Sequence, residues 1–404
     1  TDTQAPTFAD VEDAAAQLAG VAVRTPSVRA QSLSKTFGCD VVLKLESLQK
    51  TASFKARGAY LKIASLDELQ RRRGVIAASA GNHAQGVAFY AAALGIPAKI
   101  VMPATTPFMK VRRTQAIGAR VILHGTVLSE ALEEALRLAR DEGLTMIPGY
   151  DDPLVVAGAA TAGLEMLTDF PEIDTLLVPV GGGGLLCGAA IVARHLQPRT
   201  QIIGVQTETY PSLYNALHDK PEPAGGATIA EGIGVKRIGP LNLRIIKQLV
   251  DDVLLVDEQT IEQAIYALLE EEKVVAEGAG AAGLAALMKY KARFAGKHVG
   301  LIVSGGNIDS GMLSYVIARA QLYLGRVARL DVQIVDTPGV LAQVAKIIGD
   351  FEANILEVAH NRTIAALPAK CASLQVTIEM RSPSDAALIA QRLRTAGLST
   401  DVQI

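Results

Sequence analysis

The feature that most limits what this chain can become is an alternation running through its first three-quarters. Short runs rich in β-branched residues lie at 41–45, 74–78, 99–102, 120–123, 175–178, 201–205 and 299–303. Ala-rich segments with helical spacing, such as 85–94 and 128–142, separate them. Runs this short and this apolar read as strands buried on both faces, the pattern of a mostly parallel sheet covered by helices. The expected class is α/β with open sheets. Such sheets bind ligands outside the carboxyl ends of their strands, and several Gly- and Ser-rich loops fall there. At 404 residues the chain is also longer than a single core usually serves.

Near residue 324 the texture changes. Residues 327–334 alternate like a half-buried strand, Asp336-Thr337-Pro338-Gly339 makes a turn, and 340–351 reads as a helix. Strands at 355–360 and 372–379, a helix at 384–396 and a closing strand at 400–404 follow. This β-α-β-β-α-β order suits a ferredoxin-like module. We expect domains at 1–323 and 324–404, with a smaller subdomain, about 50–150, inserted in the first.

Composition narrows the function. Acids number 41 and bases 39, so no basic surface awaits nucleic acid or an anionic membrane. Cys39, Cys187 and Cys371 are odd in number and far apart, which suits neither a disulfide framework nor a zinc cluster. No basic-then-apolar leader pattern occupies residues 1–10, and a cytoplasmic location is expected. The charge-free stretch 175–193 contains four consecutive glycines, costly inside a spanning helix, and reads as strand, loop and helix instead.

Four loops carry candidate chemistry. In Thr51-Ala52-Ser53-Phe54-Lys55-Ala56-Arg57-Gly58-Ala59, small residues and a Phe could pack Lys55 against a ring. Desolvation would then make the amine a nucleophile toward aldehydes. Taken alone, it looks the same as a surface lysine opening a helix. Ser79-Ala80-Gly81-Asn82-His83 lies between a strand and a helix, where backbone N–H groups can hold a carboxylate; a capped βα turn would look alike. Gly181-Gly182-Gly183-Gly184-Leu185 also joins strand to helix. It lacks the Gly-Lys-Ser/Thr ending of a nucleoside-triphosphate loop and suits a lone phosphate monoester, the plain alternative being close helix–sheet packing. Ser304 precedes Gly305-Gly306-Asn307 and could meet a heteroaromatic nitrogen, or simply form a turn. Together the loops offer an amine, a carboxylate nest, a phosphate cradle and a ring-nitrogen partner. A phosphorylated pyridine aldehyde uses all four.

With these motifs in this order, residues from about 8 to 320 resemble the tryptophan-synthase-β-like (type II) pyridoxal phosphate enzymes, in their threonine/serine dehydratase branch. Thr228-Ile229-Ala230-Glu231-Gly232 and Glu277-Gly278-Ala279-Gly280 also resemble segments of that branch, and the C-terminal module resembles an ACT domain. The resemblance implies a fold of two open α/β subdomains plus the ferredoxin-like module. It implies pyridoxal 5'-phosphate as cofactor, held on Lys55 as a Schiff base. Phe54 would pack on the ring, Asn82 would bond its phenolic oxygen, and Gly181, Gly182, Gly183, Gly184 and Leu185 would hold phosphate. Ser304 would meet the pyridine nitrogen, and Ser79, Ala80, Gly81, Asn82 and His83 would hold the substrate carboxylate. The implied reaction is elimination of water from L-threonine to give 2-oxobutanoate and ammonia, with L-serine giving pyruvate.

Departures refine this. Racemases of the branch carry a second serine where this chain has Ala80, so no base is evident on the opposite face and dehydration is favoured. Gln206 stands where relatives carry a cation-binding acid, and Glu208 reads as a solvated acid. No divalent metal is expected. His124 and His360 lack partners at metal-like spacing. Other β-hydroxy amino acids, such as serine, 3-hydroxyaspartate or phenylserine, remain open as substrates, as does a non-catalytic amino-acid sensor. The expected partners are the small-molecule substrate, an amino-acid effector at the ACT-like module and further copies of the chain as a homo-oligomer. Neither nucleic acid nor membrane is expected.

Overall fold

A computed structural model describes residues 4–362 and 367–403. In chain order its strands are β1 (Ser27–Arg29), β2 (Asp40–Leu45), β3 (Val75–Ala78), β4 (Ala98–Met102), β5 (Arg120–Leu123), β6 (Thr145–Met146) and β7 (Thr175–Pro179). After them come β8 (Gln201–Thr207), β9 (Asp252–Val256), β10 (His298–Val303), β11 (Val327–Val335), β12 (Asn354–Asn361), β13 (Cys371–Glu379) and β14 (Ser399–Gln403). The described chain forms two compact units, Thr1–Ile308 and Asp309–Ile404.

The first unit holds two sheets. The larger runs β1-β2-β10-β7-β8-β9 and the smaller β5-β4-β3-β6. All neighbours are parallel except β1, which is antiparallel to β2. The smaller sheet is drawn entirely from chain between β2 and β7, so it is an insertion in the larger. Every expected strand is present within a residue or two. Val41, Val42, Leu43, Leu176, Leu177 and Val178 are fully buried, as strands covered on both faces require. Three strands were not expected. β1 and β6 span three and two residues, too few to show a period. β9, Asp252-Val253-Leu254-Leu255-Val256, carries an ordinary strand pattern.

One buried ionic cluster fixes the element that begins at Lys55. Arg57 is 1% exposed and Glu46 fully buried. Arg57 donates through Nε and Nη2 to both oxygens of Glu46, at 2.9 and 2.7 Å, and through Nη1 and Nη2 to both oxygens of Glu165, at 2.7 and 2.9 Å. Lys44 Nζ donates to Glu165 and to the Thr25 carbonyl, both at 2.6 Å. The helix Lys55–Ala64 is thereby tied to β2, to the 3₁₀ turn Glu46–Leu48 and to the helix Pro153–Asp169.

The second unit has the four-stranded antiparallel sheet β12-β13-β11-β14. The helices Val340–Asp350 and Asp385–Thr395 complete a β-α-β-β-α-β order with ferredoxin-like strand arrangement. Leu330, Val332, Leu374, Val376 and Ile348 make its fully buried core. The helix Ser310–Tyr323 groups with this unit, so the division falls at 308/309 rather than at 323/324. Ile404, the end of the expected closing strand, lies outside the described residues. Among the described residues no helix is long and apolar enough to cross a membrane.

Candidate active site

Lys55 opens its helix, with Phe54 at the N-cap. Its Nζ donates to the carbonyl of Gly149 at 2.5 Å and lies 5.1 Å from the centre of the Phe54 ring and 6.0 Å from that of Tyr150. Desolvation lowers its pKa to about 8, against the opposing pull of Glu277. A neutral amine is therefore available near physiological pH, which a solvated lysine does not offer.

The Ser79–His83 loop follows β3. Asn82 begins the helix Asn82–Ala93, and the Gly81 N–H donates to Ser79 Oγ at 3.2 Å. His83 is buried, and its Nε2 donates to the Ile147 carbonyl at 2.9 Å. Burial, then the charge of Lys55, push its pKa down to about 4. The imidazole is neutral at pH 7 and braces the segment after β6; it brings no positive charge to an anion. In this loop an anion would rely on backbone N–H groups.

The four-glycine loop joins β7 to the helix Gly184–Leu196. Gly183 has φ +99°, in the left-handed region. Side chains are excluded along the turn: a Cβ on Gly182 would overlap the Tyr150 ring, and one on Gly184 would lie 3.0 Å from the Tyr150 carbonyl oxygen. No side chain caps this helix, so its first N–H groups are left for a ligand. Asn242 braces the loop by donating to Gly182 O at 2.9 Å and Tyr150 O at 3.0 Å, while its own Oδ1 is buried without a partner.

Ser304 is buried at the end of β10, and its carbonyl accepts the Phe54 N–H at 3.1 Å. A bridge between Ser53 and Gly305 lies beside it. The serine loop and the lysine loop are thus in direct contact across 250 residues of chain. Asn307, three residues on, donates through Nδ2 to Thr51 O at 2.8 Å and to Asn82 Oδ1 at 2.7 Å, and Asn82 Nδ2 donates to Glu277 Oε1 at 2.5 Å.

All four loops therefore meet within one unit. The residues fit pyridoxal phosphate on structural grounds. A desolvated amine sits against aromatic rings, a glycine turn presents free N–H groups where any Cβ would intrude, and buried polar atoms such as Thr51 Oγ1 have no protein partner. Sequence reasoning missed Gly149, Tyr150, Asn242, Glu277 as a contact of Asn82, and Asn307 as its brace. The Pro148-Gly149 pair after β6 was the one local hint, a turn at a strand end.

Gln206 has become an internal brace. Its Oε1 accepts the N–H groups of Leu213 and Tyr214 at 2.8 and 3.1 Å, and its Nε2 donates to Ser212 Oγ at 3.1 Å and Val180 O at 3.3 Å. Its hydrogen-bonding capacity is spent within the protein. Glu208 pairs with Lys289 at 2.6 Å, and His360 lies 3.5 Å from Asp336. His124 is exposed.

Comparison with known proteins agrees with this geometry. The profile of the pyridoxal-phosphate dependent enzyme family matches residues 19–305. The chain is 43% identical over 375 residues to the L-threonine ammonia-lyase of Thermotoga maritima, covering 92% of this chain and 93% of that protein. It is similar in structure to the processed threonine deaminase isoform 2 of Solanum lycopersicum, with TM-score 0.74 and 35% identity over 80% of this chain and 92% of that one. Maize serine racemase is likewise similar, with TM-score 0.73 and 32% identity over 79% and 99% of the two chains. With this geometry and these similarities, the chain is a member of the pyridoxal-phosphate dependent enzyme family.

Proposed function

We propose that the chain removes water and then ammonia from L-threonine to give 2-oxobutanoate, and acts in the same way on L-serine to give pyruvate. The observation that carries the reading is the setting of Lys55: its amine bonds to the Gly149 carbonyl beside the Phe54 and Tyr150 rings, Tyr150 packs on the glycine loop, and the adjoining Phe54 N–H bonds to the Ser304 carbonyl. Similarity to an L-threonine ammonia-lyase along 92% of the chain supports threonine as the substrate.

In this reading the Gly181–Gly184 N–H groups and Leu185 would hold the cofactor phosphate, Phe54 would cover the ring, Asn82 would bond its phenolic oxygen and Ser304 would meet its nitrogen. Bound pyridoxal phosphate supplies an electron sink next to the substrate Cα. A serine, unlike a carboxylate, does not hold the ring nitrogen protonated, which moderates that sink and suits elimination. The chain does the rest. Backbone N–H groups of residues 79–83 hold the substrate carboxylate. Lys55 Nζ takes the proton from Cα, the Cβ–O bond breaks, and the hydroxyl leaves as water carrying, in net, the proton taken from Cα. The released enamine rearranges to an imine, and one water hydrolyses it to the 2-oxo acid and ammonia. The ring-like crowding around Nζ keeps its amine neutral enough to accept that proton.

Maize serine racemase is similar to the chain, so racemisation is the rival activity to exclude. Ala80 offers no acid or base on the face away from Lys55. The ferredoxin-like unit is read as an ACT-type module that binds an amino-acid effector in a homo-oligomer, supported by its strand order.

A 2-oxo-acid assay over threonine, serine, 3-hydroxyaspartate and phenylserine, with chiral analysis of recovered substrate, tests the proposal. Threonine is expected to turn over fastest without D-isomer. A negligible rate with threonine beside a fast rate with another member refutes the substrate. Lys55→Ala is expected to lose both turnover and the visible absorbance of the bound cofactor while keeping its fold. Turnover retained in K55A would refute the mechanism.

A further inference from the structure

Asn82 does not stand alone. Its side-chain oxygen accepts from Asn307 Nδ2 at 2.7 Å, and its side-chain nitrogen donates to Glu277 Oε1 at 2.5 Å. Asn307 Nδ2 also donates to the Thr51 carbonyl at 2.8 Å. The polarity of this chain of bonds is fixed from its main-chain end. The Thr51 carbonyl can only accept, so the nitrogen of Asn307 must face it. The second hydrogen of that nitrogen then goes to Asn82, which compels the oxygen of Asn82 to face Asn307 and its nitrogen to face Glu277. An amide nitrogen carries two hydrogens. Glu277 takes one, and one is left.

Glu277 is placed at some structural cost. It is the N-cap residue of the helix Gly278–Lys289, yet its side chain makes no capping bond there. Its carboxyl turns to Asn82 instead, in space kept open by Gly305. A Cβ on Gly305 would overlap Glu277 Oε1 and lie 3.2 Å from Asn82 Nδ2. A helix-capping carboxyl given over to a single amide, with a glycine making room, indicates that this amide's orientation matters.

We propose that Asn307 and Glu277 are positioning residues that lock the Asn82 amide with one N–H free for the phenolic oxygen of the cofactor, and that Glu277 sets how strongly that oxygen can bear negative charge. The inference rests on the reading that Asn82 contacts the cofactor. Burial raises the Glu277 pKa to about 7, with the Asn82 bond opposing, Glu231 adding to the rise, and Lys110 and Lys55 opposing it. These are the charged groups that face it, and Lys110 is itself paired with Glu231. Above that pH a carboxylate sits one amide away from the phenolic oxygen and disfavours its negative charge; below it the carboxyl is neutral and still accepts from Asn82. Binding should therefore weaken across neutrality for a reason that Glu277→Gln removes, since Gln keeps an acceptor oxygen but no charge.

The test uses the full chain and pyridoxal phosphate itself. Apo wild type, N82A, N307A, the N82A/N307A pair and E277Q are titrated with the cofactor, reading affinity and visible absorbance between about pH 6 and 9, with apo melting temperatures as the folding check. N82A and N307A are each expected to weaken binding about tenfold, as loss of one charge-directed hydrogen bond does. The pair should be no weaker than either alone, because both forfeit the same bond from the Asn82 amide to the cofactor. A purely structural role for Asn307 would make the losses add. The ratio of wild-type to E277Q affinity should change through a midpoint near 7, other titrations cancelling in the ratio. Wild-type behaviour of N307A and a flat E277Q ratio, beside an impaired N82A, would overturn this inference alone. If N82A itself binds as wild type, the reading of Asn82 falls and the inference with it. Should N307A fail to fold, the E277Q ratio decides, and a flat ratio overturns the proposal.

Discussion

Replacing Arg57 with Ala should destabilise the first unit by an amount that depends on pH in a sense opposite to ordinary acid unfolding. Arg57 lies two residues past Lys55 and holds both oxygens of Glu46, which is fully buried, and both of Glu165. Removing one partner of such a pair leaves a buried charge uncompensated and costs about 3–5 kcal/mol. Unfolding entropies of roughly 2.1 cal/mol/K per residue give about 0.65 kcal/mol/K for a unit of 308 residues, so the expected fall in melting temperature is about 5–8 °C. In the native protein, burial pushes the Glu46 carboxyl up. The Arg57 charge and hydrogen bonds, with Thr25 and Lys44, outweigh this and hold it below its usual range. A carboxyl depressed by folding contributes stability that is present above its unfolded pKa and lost as pH falls through the folded value. Without Arg57 burial prevails and the folded pKa rises above the unfolded one. The variant then carries no penalty where Glu46 is protonated in both states, and acquires it as pH rises through the carboxylate range. The gap between wild type and R57A should accordingly widen from about pH 4 to pH 7. Thermal melts of both proteins at three pH values across that span measure it. A gap below about 1 kcal/mol, or one that narrows as pH rises, would refute the assignment of Glu46 as a charge carried by Arg57.

Two further outcomes follow from the site. The rate at which the apo protein captures pyridoxal phosphate should climb as Lys55 loses its proton and level off above about pH 8, two units or more below the plateau of a solvated lysine; stopped-flow absorbance reads the profile, and a plateau near 10.5 would contradict a desolvated amine. Gly182→Ala would drive a Cβ into the Tyr150 ring beside the four-glycine loop. We expect cofactor affinity to drop at least about tenfold with the apo melting temperature changed by only a few degrees, and titration of the apo variant checks both.

The central strands β2, β7 and β10 of the larger sheet were legible because burial on both faces favours unbroken apolar runs, whereas β1 and β9, at its two edges, were not. Val41, Val42 and Leu43, or Leu176, Leu177 and Val178, declare a central parallel strand without any knowledge of their neighbours. β6, at two residues, declares nothing, yet the main chain just beyond it accepts from both His83 and Lys55. The boundary was legible only to within a helix. Ser310–Tyr323 buries just Val316 and Ala320, so its sequence does not say which unit it serves.

The candidate site divides along the same physical line. Lys55, the Ser79–His83 turn, the glycine loop and Ser304 could be found because each is a local device: a nucleophile among small residues, or a turn whose N–H groups need glycine. What could not be found are groups defined by a distant partner. Glu277 reaches Asn82 across 195 positions, Asn307 reaches it across 225, and the Gly149 carbonyl meets Lys55 across 94. Glu277 even carries a misleading local sign, since an acid at a helix N-cap already has an ordinary explanation. Its actual contact contradicts that explanation, because the carboxyl spends its bond on Asn82 and leaves its own helix uncapped. A residue that acts directly on a ligand must have the right chemistry in its own loop, whereas one that orients another needs only the right geometry. That second kind leaves no pattern in the sequence. In this protein it decides which way the Asn82 amide faces.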